Sequence, residues 1–523
     1  MDRTRREGVA SDARTRWDAA DRAALAARGI AVEEAERQLA VMSRPAAWAA
    51  IERPCTVGDG IVRLDAASLE ASLEAHSLAA RSGRVSVFVP ASGAATRMFK
   101  DLLAARERPG PLDPAEVRAD GSAPARALAR FVDELPRFAF AGALGEQLSR
   151  RGRSLDALRR DGPWRPLVDA FLDPDGLDAA RAPKGLLAFH REGDEVHTAF
   201  EEHLVEACAL AGDERGVRRL DVTVSPEHRE GFERVLADRT PALAARHGGG
   251  WQVRFSEQDP ATDTIAADPG GGPFRDASGR LVFRPAGHGA LLRNLAATGG
   301  DLVFLKNIDN VSVARLRPES EGWGRALLGH AARLAADVRT WCEALEAREP
   351  GAVEGARGFA REALGLALPS GRDAPELAAE LDRPVRVCGM VPNTGEPGGG
   401  PFWVRGGHGP TRQIVESAQV DMGSAERAAV FRAATHFNPV FLAVSLRDRH
   451  GRPHDLARFV DEAAVIVTRK SHEGRELLAL ERPGLWNGAM AGWHTVFVEV
   501  PLAVFNPVKT VFDLLRPEHQ GEP

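Results

Sequence analysis

Two patterns of hydrophobic positions alternate along the chain. Short apolar runs at 85–89, 220–224, 251–255, 302–305 and 496–500 have strand length and are rich in β-branched and aromatic residues. Between them, 99–106, 197–210, 226–236 and 324–368 read as helices. Strand-length apolar runs alternating with helices predict an α/β fold with a mainly parallel, doubly wound sheet covered by helices on both faces. Residues 1–80 read as a helical N-terminal cap, with helices over 12–28 and 32–42 and breaks at Pro45 and Pro54. The α/β domain then runs over 81–515. It carries a helical insertion over 101–180, a helical segment over 324–380 and a strand-rich portion over 384–515.

Composition narrows the function classes. With 44% hydrophobic and 27% charged residues in 523, the chain is of the folded globular kind. A net charge of −6 argues against a nucleic-acid binder but allows a local basic cleft. The four cysteines, Cys55, Cys208, Cys342 and Cys388, form no CxxC pair, which gives neither a zinc signature nor a disulfide framework. No apolar run approaches the roughly 20 residues of a membrane span, and no apolar stretch follows the charged first residues. The expectation is a soluble cytoplasmic protein without a membrane partner.

Tyrosine is absent, and only five of the 68 basic residues are lysines: Lys100, Lys184, Lys306, Lys470 and Lys509. In so arginine-rich a chain, a lysine marks a place where a compact ammonium suits and a guanidinium does not. Lys184 and Lys509 have neighbours that support this.

Candidate chemistry is spread along the chain. The loop Pro90-Ala91-Ser92-Gly93-Ala94-Ala95-Thr96-Arg97-Met98 lies between a strand and a helix. Its small residues allow close approach to a polyphosphate at a helix N-terminus, or simply make a tight turn. Pro183-Lys184-Gly185 holds a lysine on a rigid turn, as a phosphate ligand or as a plain loop residue. Gln258, at a strand end, reads a base edge or remains a solvated amide. Gly287-His288-Gly289 opens a helix and faces a nucleobase or ribose, or is an ordinary turn. Asp309 ends an apolar strand, where a carboxylate holds Mg²⁺ against phosphates or caps the next segment. Lys509 suits charge developing on a transferring phosphate. Glu416 suits sugar hydroxyls or a strand edge.

In this order the motifs resemble the UDP-sugar pyrophosphorylase family, with its Gly-rich G-T-R loop, P-K-G turn, F-x-Q, G-N-G turn, metal D-N, V-V-E and terminal F-S-P-L-K. Thr435-His436-Phe437 is similar to an Asn-His-Phe in that family's sugar site. From about residue 25 onward, including Pro483-Gly484-Leu485-Trp486-Asn487-Gly488-Ala489-Met490, the chain more closely resembles a bacterial family catalogued as domain of unknown function 4301. The departures are local: Ala94-Ala95 replaces a second glycine, His288 replaces an asparagine, and about ninety residues separate loop and Pro-Lys-Gly.

The resemblance implies the nucleotide-diphospho-sugar transferase fold, with a nucleotide and a sugar phosphate as partners and Mg²⁺ as cofactor. It implies nucleotide contacts at Ser92, Gly93, Ala94, Ala95, Thr96, Gln258, Gly287 and His288. It assigns catalytic roles to Arg97, Lys184 and Lys509, the metal to Asp309, and the sugar to Glu416 and His436. The reaction implied joins a sugar 1-phosphate to a nucleoside triphosphate with release of pyrophosphate. Two alternatives stand beside it, a non-catalytic nucleotide-sugar binder and a glycosyltransferase on the same fold. For the latter, the D-x-D spelling at Asp173-Pro174-Asp175 follows no strand.

Overall fold

The computed structural model describes residues 16–45, 47–93, 95–395, 398–406 and 409–521. A ten-stranded sheet forms its centre. Nine strands lie in the order Thr56–Val57, Gly60–Val62, His494–Glu499, Val385–Pro392, Phe441–Ser445, Leu302–Lys306, Val85–Pro90, Val217–Thr223 and Gly250–Ser256, and His436–Phe437 pairs onto Val385–Pro392 off this path. Along the path every pairing is parallel except the two made by Phe441–Ser445. The fold is therefore a mixed, mainly parallel α/β sheet with helical regions at its N-terminal side and inserted into it.

The unbroken apolar spelling of the central strands follows from burial on both faces. Alternate side chains of Leu302–Lys306 point to opposite sides. Leu302 and Phe304 join Val85, Val87 and Val89 in one core, and Val303 and Leu305 join Phe88, Leu442 and Phe497 in another. The first core is covered by long helices, Ala199–Leu210 and Arg317–Glu346 among them. The second is covered by the short helix Leu292–Ala297 and by the segment containing Leu485 and Trp493. The cover is thus asymmetric: long helices on one face, short helix and loop on the other.

Residues 101–180 hold Pro114–Ala119, Ala123–Glu134, Ala141–Arg150, Leu155–Asp161 and Arg165–Leu172, gathered around Phe99, Phe131, Phe138, Phe140 and Phe171. These rings merge with the core of the first face.

Some sequence expectations differ from the structure. The N-terminal 80 residues are not purely helical: Ile51–Pro54 pairs with Gly399–Gly406, and Thr56–Val57 and Gly60–Val62 extend the central sheet. Their alternating apolar positions are too few to stand out in a sequence. The first helix spans Ala19–Ala27, started by a capping box of Asp18 and Asp21; positions 12–15 of the expected helix lie outside the described residues. His197 belongs to the hairpin strand Glu195–Thr198, because Thr198 and Glu201 form the capping box that starts the following helix. The helix expected over 226–236 continues as Arg229–His247, with Pro241 inside it. Among the described residues no helix is long and apolar enough to cross a membrane. All four cysteines are free, and burial pushes the thiols of Cys55, Cys342 and Cys388 up to about 12.

Candidate functional site

The parallel strands Val85–Pro90 and Leu302–Lys306 are neighbours, with Val85 opposite Leu302. Their carboxyl ends therefore deliver the Ser92–Arg97 loop and Asn307–Asn310 to one edge of the sheet, where ligands collect in open α/β folds. Asp309 is 5% exposed there. Its Oδ2 accepts from Lys184 Nζ at 2.6 Å and from Lys509 Nζ at 3.2 Å.

Each lysine is delivered by a specific local structure. Lys184 begins a 3₁₀ turn, Lys184–Leu186, entered from Pro183. The next residue must be glycine, because a Cβ on Gly185 would stand 2.6 Å from the Phe232 ring. Lys184 Nζ also donates to Val508 O at 2.6 Å, so the turn and the C-terminal segment share one ammonium. Lys509 arrives on a segment clamped by Asn310, whose Oδ1 accepts from Asn506 N at 2.8 Å and whose Nδ2 donates to Val504 O at 3.2 Å. Val508 N donates to Asp309 O at 3.1 Å. Asp513 Oδ2 accepts from Lys509 N at 2.8 Å.

Burial pushes the Asp309 carboxyl up, but the charges of Lys509 and Lys184 outweigh it and hold the group below the usual carboxylate range. Burial lowers the Lys184 ammonium, and Lys509 and Arg97 add to that against the pull of Asp309. Arg97 is exposed and makes no ion pair with a described residue. Two ammoniums thus converge on one carboxylate, and the charge of Arg97 acts on Lys184 from the loop, leaving an excess of positive charge at the sheet edge. Such a focus attracts a phosphate.

In the loop itself, Gly93 O accepts from Lys184 N at 3.5 Å, which ties loop to turn. Ser92 is half-buried, and Gly93 and Thr96 are exposed. Ala95, which the resemblance assigns to the nucleotide, is fully buried and its N–H donates to Ala182 O at 3.1 Å. Ala94 lies outside the described residues. The residues Ala95–Arg97 form a 3₁₀ turn ahead of the helix Lys100–Arg106, so the loop does not open directly onto a helix.

A second group forms elsewhere. The His288 ring stacks on Trp486, with centroids 3.9 Å apart and planes 12° apart. His288 Nδ1 accepts from Leu485 N at 2.8 Å, and Nε2 stands 3.7 Å from Glu416 Oε1. Asn487 Nδ2 donates to Glu416 Oε1 at 3.2 Å and to Gln419 Oε1 at 2.8 Å. Burial pushes the Glu416 carboxyl up, but His288 and then Asn487 hold it below its ordinary value. His288, assigned from sequence to the nucleotide, therefore stands with Glu416, assigned to the sugar. The reason is the turn at Gly287, whose φ of +73° and proximity to Glu481 exclude a side chain and aim the next residue at the 483–487 segment.

His436 is hydrogen-bonded through Nδ1 to Thr435 Oγ1 at 2.9 Å, and its Nε2 stands 3.5 Å from Glu499 Oε1. Asn438 N donates to Gly399 O, and Gly399 pairs with Glu416 across the hairpin, which brings the strand of Glu416 and the segment of His436 to flank one glycine. Gln258 is half-buried, and its Nε2 donates to Asp263 Oδ1 at 3.2 Å. In the D-x-D spelling, Asp173 pairs with Arg106 and Asp175 with Arg151.

Sequence reasoning missed the buried polar residues behind the Asp309 edge. Lys306 Nζ donates to Glu206 Oε1 at 2.6 Å and to Ser320 Oγ at 3.2 Å. His203 Nε2 lies 3.2 Å from Ile308 O, and burial drives its imidazole down to about 4. The rarity of lysine was the one signal that pointed to Lys306. Trp486 and Asn487 were visible only as part of the 483–490 run.

Asp309 offers a cation one oxygen, since both ammoniums take Oδ2 and no described residue donates to Oδ1. Among the described residues no group of three or more His, Cys, Asp or Glu is spaced to hold a metal ion. A single free carboxylate oxygen is too few for the roughly six oxygens Mg²⁺ takes, so the described residues alone do not make a complete site for it.

Solved structures similar to this chain include a uridine diphosphate N-acetylglucosamine pyrophosphorylase from Trypanosoma brucei, 13% identical over 92% of this chain and 74% of that one, with a TM-score of 0.48. The UDP-glucose pyrophosphorylase from Leishmania major is 14% identical over 92% of this chain and 73% of that one, with a TM-score of 0.40. A Trypanosoma brucei protein described as UDP-glucose phosphorylase is 13% identical over 94% and 76%, with a TM-score of 0.42. No curated protein matches the chain significantly. The family model described as Domain of unknown function (DUF4301) matches residues 18–520, and the chain belongs to that family.

Proposed function

We propose that this protein is a nucleotidyltransferase that joins a sugar 1-phosphate to a nucleoside triphosphate and releases pyrophosphate. The observation that carries the reading is the convergence of Lys184 and Lys509 on the buried carboxylate of Asp309 at the carboxyl edge of the sheet, with the charge of Arg97 felt by Lys184. An oxygen of the sugar phosphate attacks the α-phosphorus, the new P–O bond forms as the bond to the β-phosphate oxygen breaks, and pyrophosphate leaves with that oxygen. The step needs no protein nucleophile. It needs alignment and positive charge held ready where charge moves.

Lys184, fixed by its own hydrogen bonds, orients the phosphates. Lys509, about half exposed, follows the charge onto the leaving group. Arg97 reaches the same phosphates from the loop. A Mg²⁺ on Asp309 Oδ1 would lower the charge of the bound triphosphate. Glu416, held by His288 and Asn487, offers carboxylate oxygens that suit the hydroxyls of a sugar ring.

The test is a screen of nucleoside triphosphates against sugar 1-phosphates with Mg²⁺, read as pyrophosphate release. The proposal fails if no pair turns over while nucleotide binding is intact. The spent N–H of Ala95 favours a second reading, binding without turnover. Tight calorimetric binding of a nucleotide sugar with no pyrophosphate exchange would establish that reading instead.

A further inference from the structure

Behind the segment that carries Lys509 lies a buried chain of side chains that the proposed reaction does not use. Glu202 Oε2 accepts from Arg317 Nη2 at 2.6 Å, and Glu202 Oε1 stands 2.8 Å from His190 Nδ1. His190 Nε2 in turn lies 2.9 Å from His519 Nδ1. His190, Glu202 and His519 are at most 2% exposed. Burial pushes the Glu202 carboxyl up, but His190 and Arg317 bring it down to about 2, so it is ionised and its partners donate to it. Burial, with the charge of His190, drives His519 down to about 3, which keeps that ring neutral. The two facing imidazole nitrogens therefore share one proton, and the contact is a directed hydrogen bond.

His519 sits at the far end of the clamp on Lys509. Its backbone N–H donates to Arg516 O at 2.9 Å, and Arg516 Nη2 donates to Pro507 O at 2.6 Å, two residues before Lys509. Val313 N donates to Glu518 O at 3.1 Å, which ties the same turn to the residues after Asp309. Buried polar groups joined in a chain, as Arg317, Glu202, His190 and His519 Nδ1 are, favour one arrangement of the segments that carry them.

We propose that His519, acting through His190 and Glu202, is a positioning residue for Lys509: it fixes the 507–519 segment so that the Lys509 ammonium meets Asp309. This rests on the nucleotidyltransferase reading for its consequence in turnover, but not for its geometry.

The five lysines make a direct test. In protein labelled at the lysine side chains, the Lys509 and Lys184 signals should shift in His519→Phe, while Lys100 and Lys470 stay in place. His519→Asn, whose amide can replace Nδ1, should restore both. With an active substrate pair, His519→Phe should lower kcat about tenfold or more with KM little changed, as misplacement of a reacting group does. Unmoved Lys509 and Lys184 signals in a folded His519→Phe protein would overturn the proposal. Should His519→Phe fail to fold, His190→Gln is measured the same way, and an unmoved Lys509 signal there overturns it too. Moved lysine signals with no turnover on any substrate would leave the positioning role standing and discard the reaction.

Discussion

Lys184 Nζ lies 2.6 Å from Asp309 Oδ2 although the two residues are 125 positions apart. Both charges are largely taken out of water, Asp309 more completely than Lys184, and burial lowers the Lys184 ammonium despite the pull of its partner. Lys509 meets the same oxygen from a more open position. One carboxylate thus organises two ammoniums with different duties.

That difference is testable by single substitutions. Lys184→Ala leaves Asp309 buried with one partner fewer and should cost about 2–4 kcal/mol of stability, read in a denaturant titration. Lys509→Ala should cost little stability, because half of its side chain is exposed. It should lower turnover far more than nucleotide affinity. Normal turnover in Lys509→Ala would remove this lysine from the chemistry.

Gly185→Ala probes the turn alone. The new methyl would meet the Phe232 ring at 2.6 Å and Ile308 at 3.3 Å, so the turn must shift. Overpacking of this kind should cost about 1–3 kcal/mol. Nucleotide affinity should fall with it, since Lys184 moves too. An unchanged melting temperature would mean that the turn has more room than its contacts indicate.

At the second group, Glu416→Gln keeps the shape but removes the charge opposite His288. The KM for the sugar substrate should rise several-fold while the KM for the nucleotide stays put. His288→Ala should act in the same direction, because the ring fills the gap between Trp486 and Glu416. A change confined to the nucleotide KM would return His288 to the nucleotide.

Acid should destabilise the fold before its carboxylates titrate. Burial lowers His203, His330 and His494 to about 4 and His519 to about 3, against an ordinary 6.5. The unfolded chain takes up these protons near pH 6.5 and the folded chain does not. Stability is therefore complete above pH 6.5 and lost as pH falls towards 4. Each histidine adds up to about 1.4 kcal/mol per pH unit in that window. Denaturant midpoints at pH 7.5, 6 and 5 measure the effect. A flat profile would show that these rings are protonated in the native state.

Much of the fold was legible in the sequence. The runs at 85–89 and 302–305 are apolar at every position but one, and only a strand covered on both faces tolerates that spelling. The strands Thr56–Val57 and Gly60–Val62 were not legible. Two or three residues at a sheet edge carry too little periodicity to register, and the strand that joins Gly60–Val62 to the sheet, His494–Glu499, lies more than 400 residues away. Within the site, Pro183 and Gly185 marked Lys184 as rigidly placed, and strand-end position marked Asp309. Neither said that the two would touch.

By itself, the sequence determined the longer strands and helices, because period and turn residues act locally, but not the short edge strands before residue 80. It also determined which cations are unusual, because lysine is rare in this chain. Only the tertiary structure decided that Lys184, Lys509 and Asp309 form one cluster, that His288 stands with Glu416, and that His190 and His519 brace the end of the chain. Those are contacts between residues tens to hundreds of positions apart. They are set by how parallel strands order themselves in the sheet and by which polar groups must find partners once buried, and neither is written into any one stretch of residues.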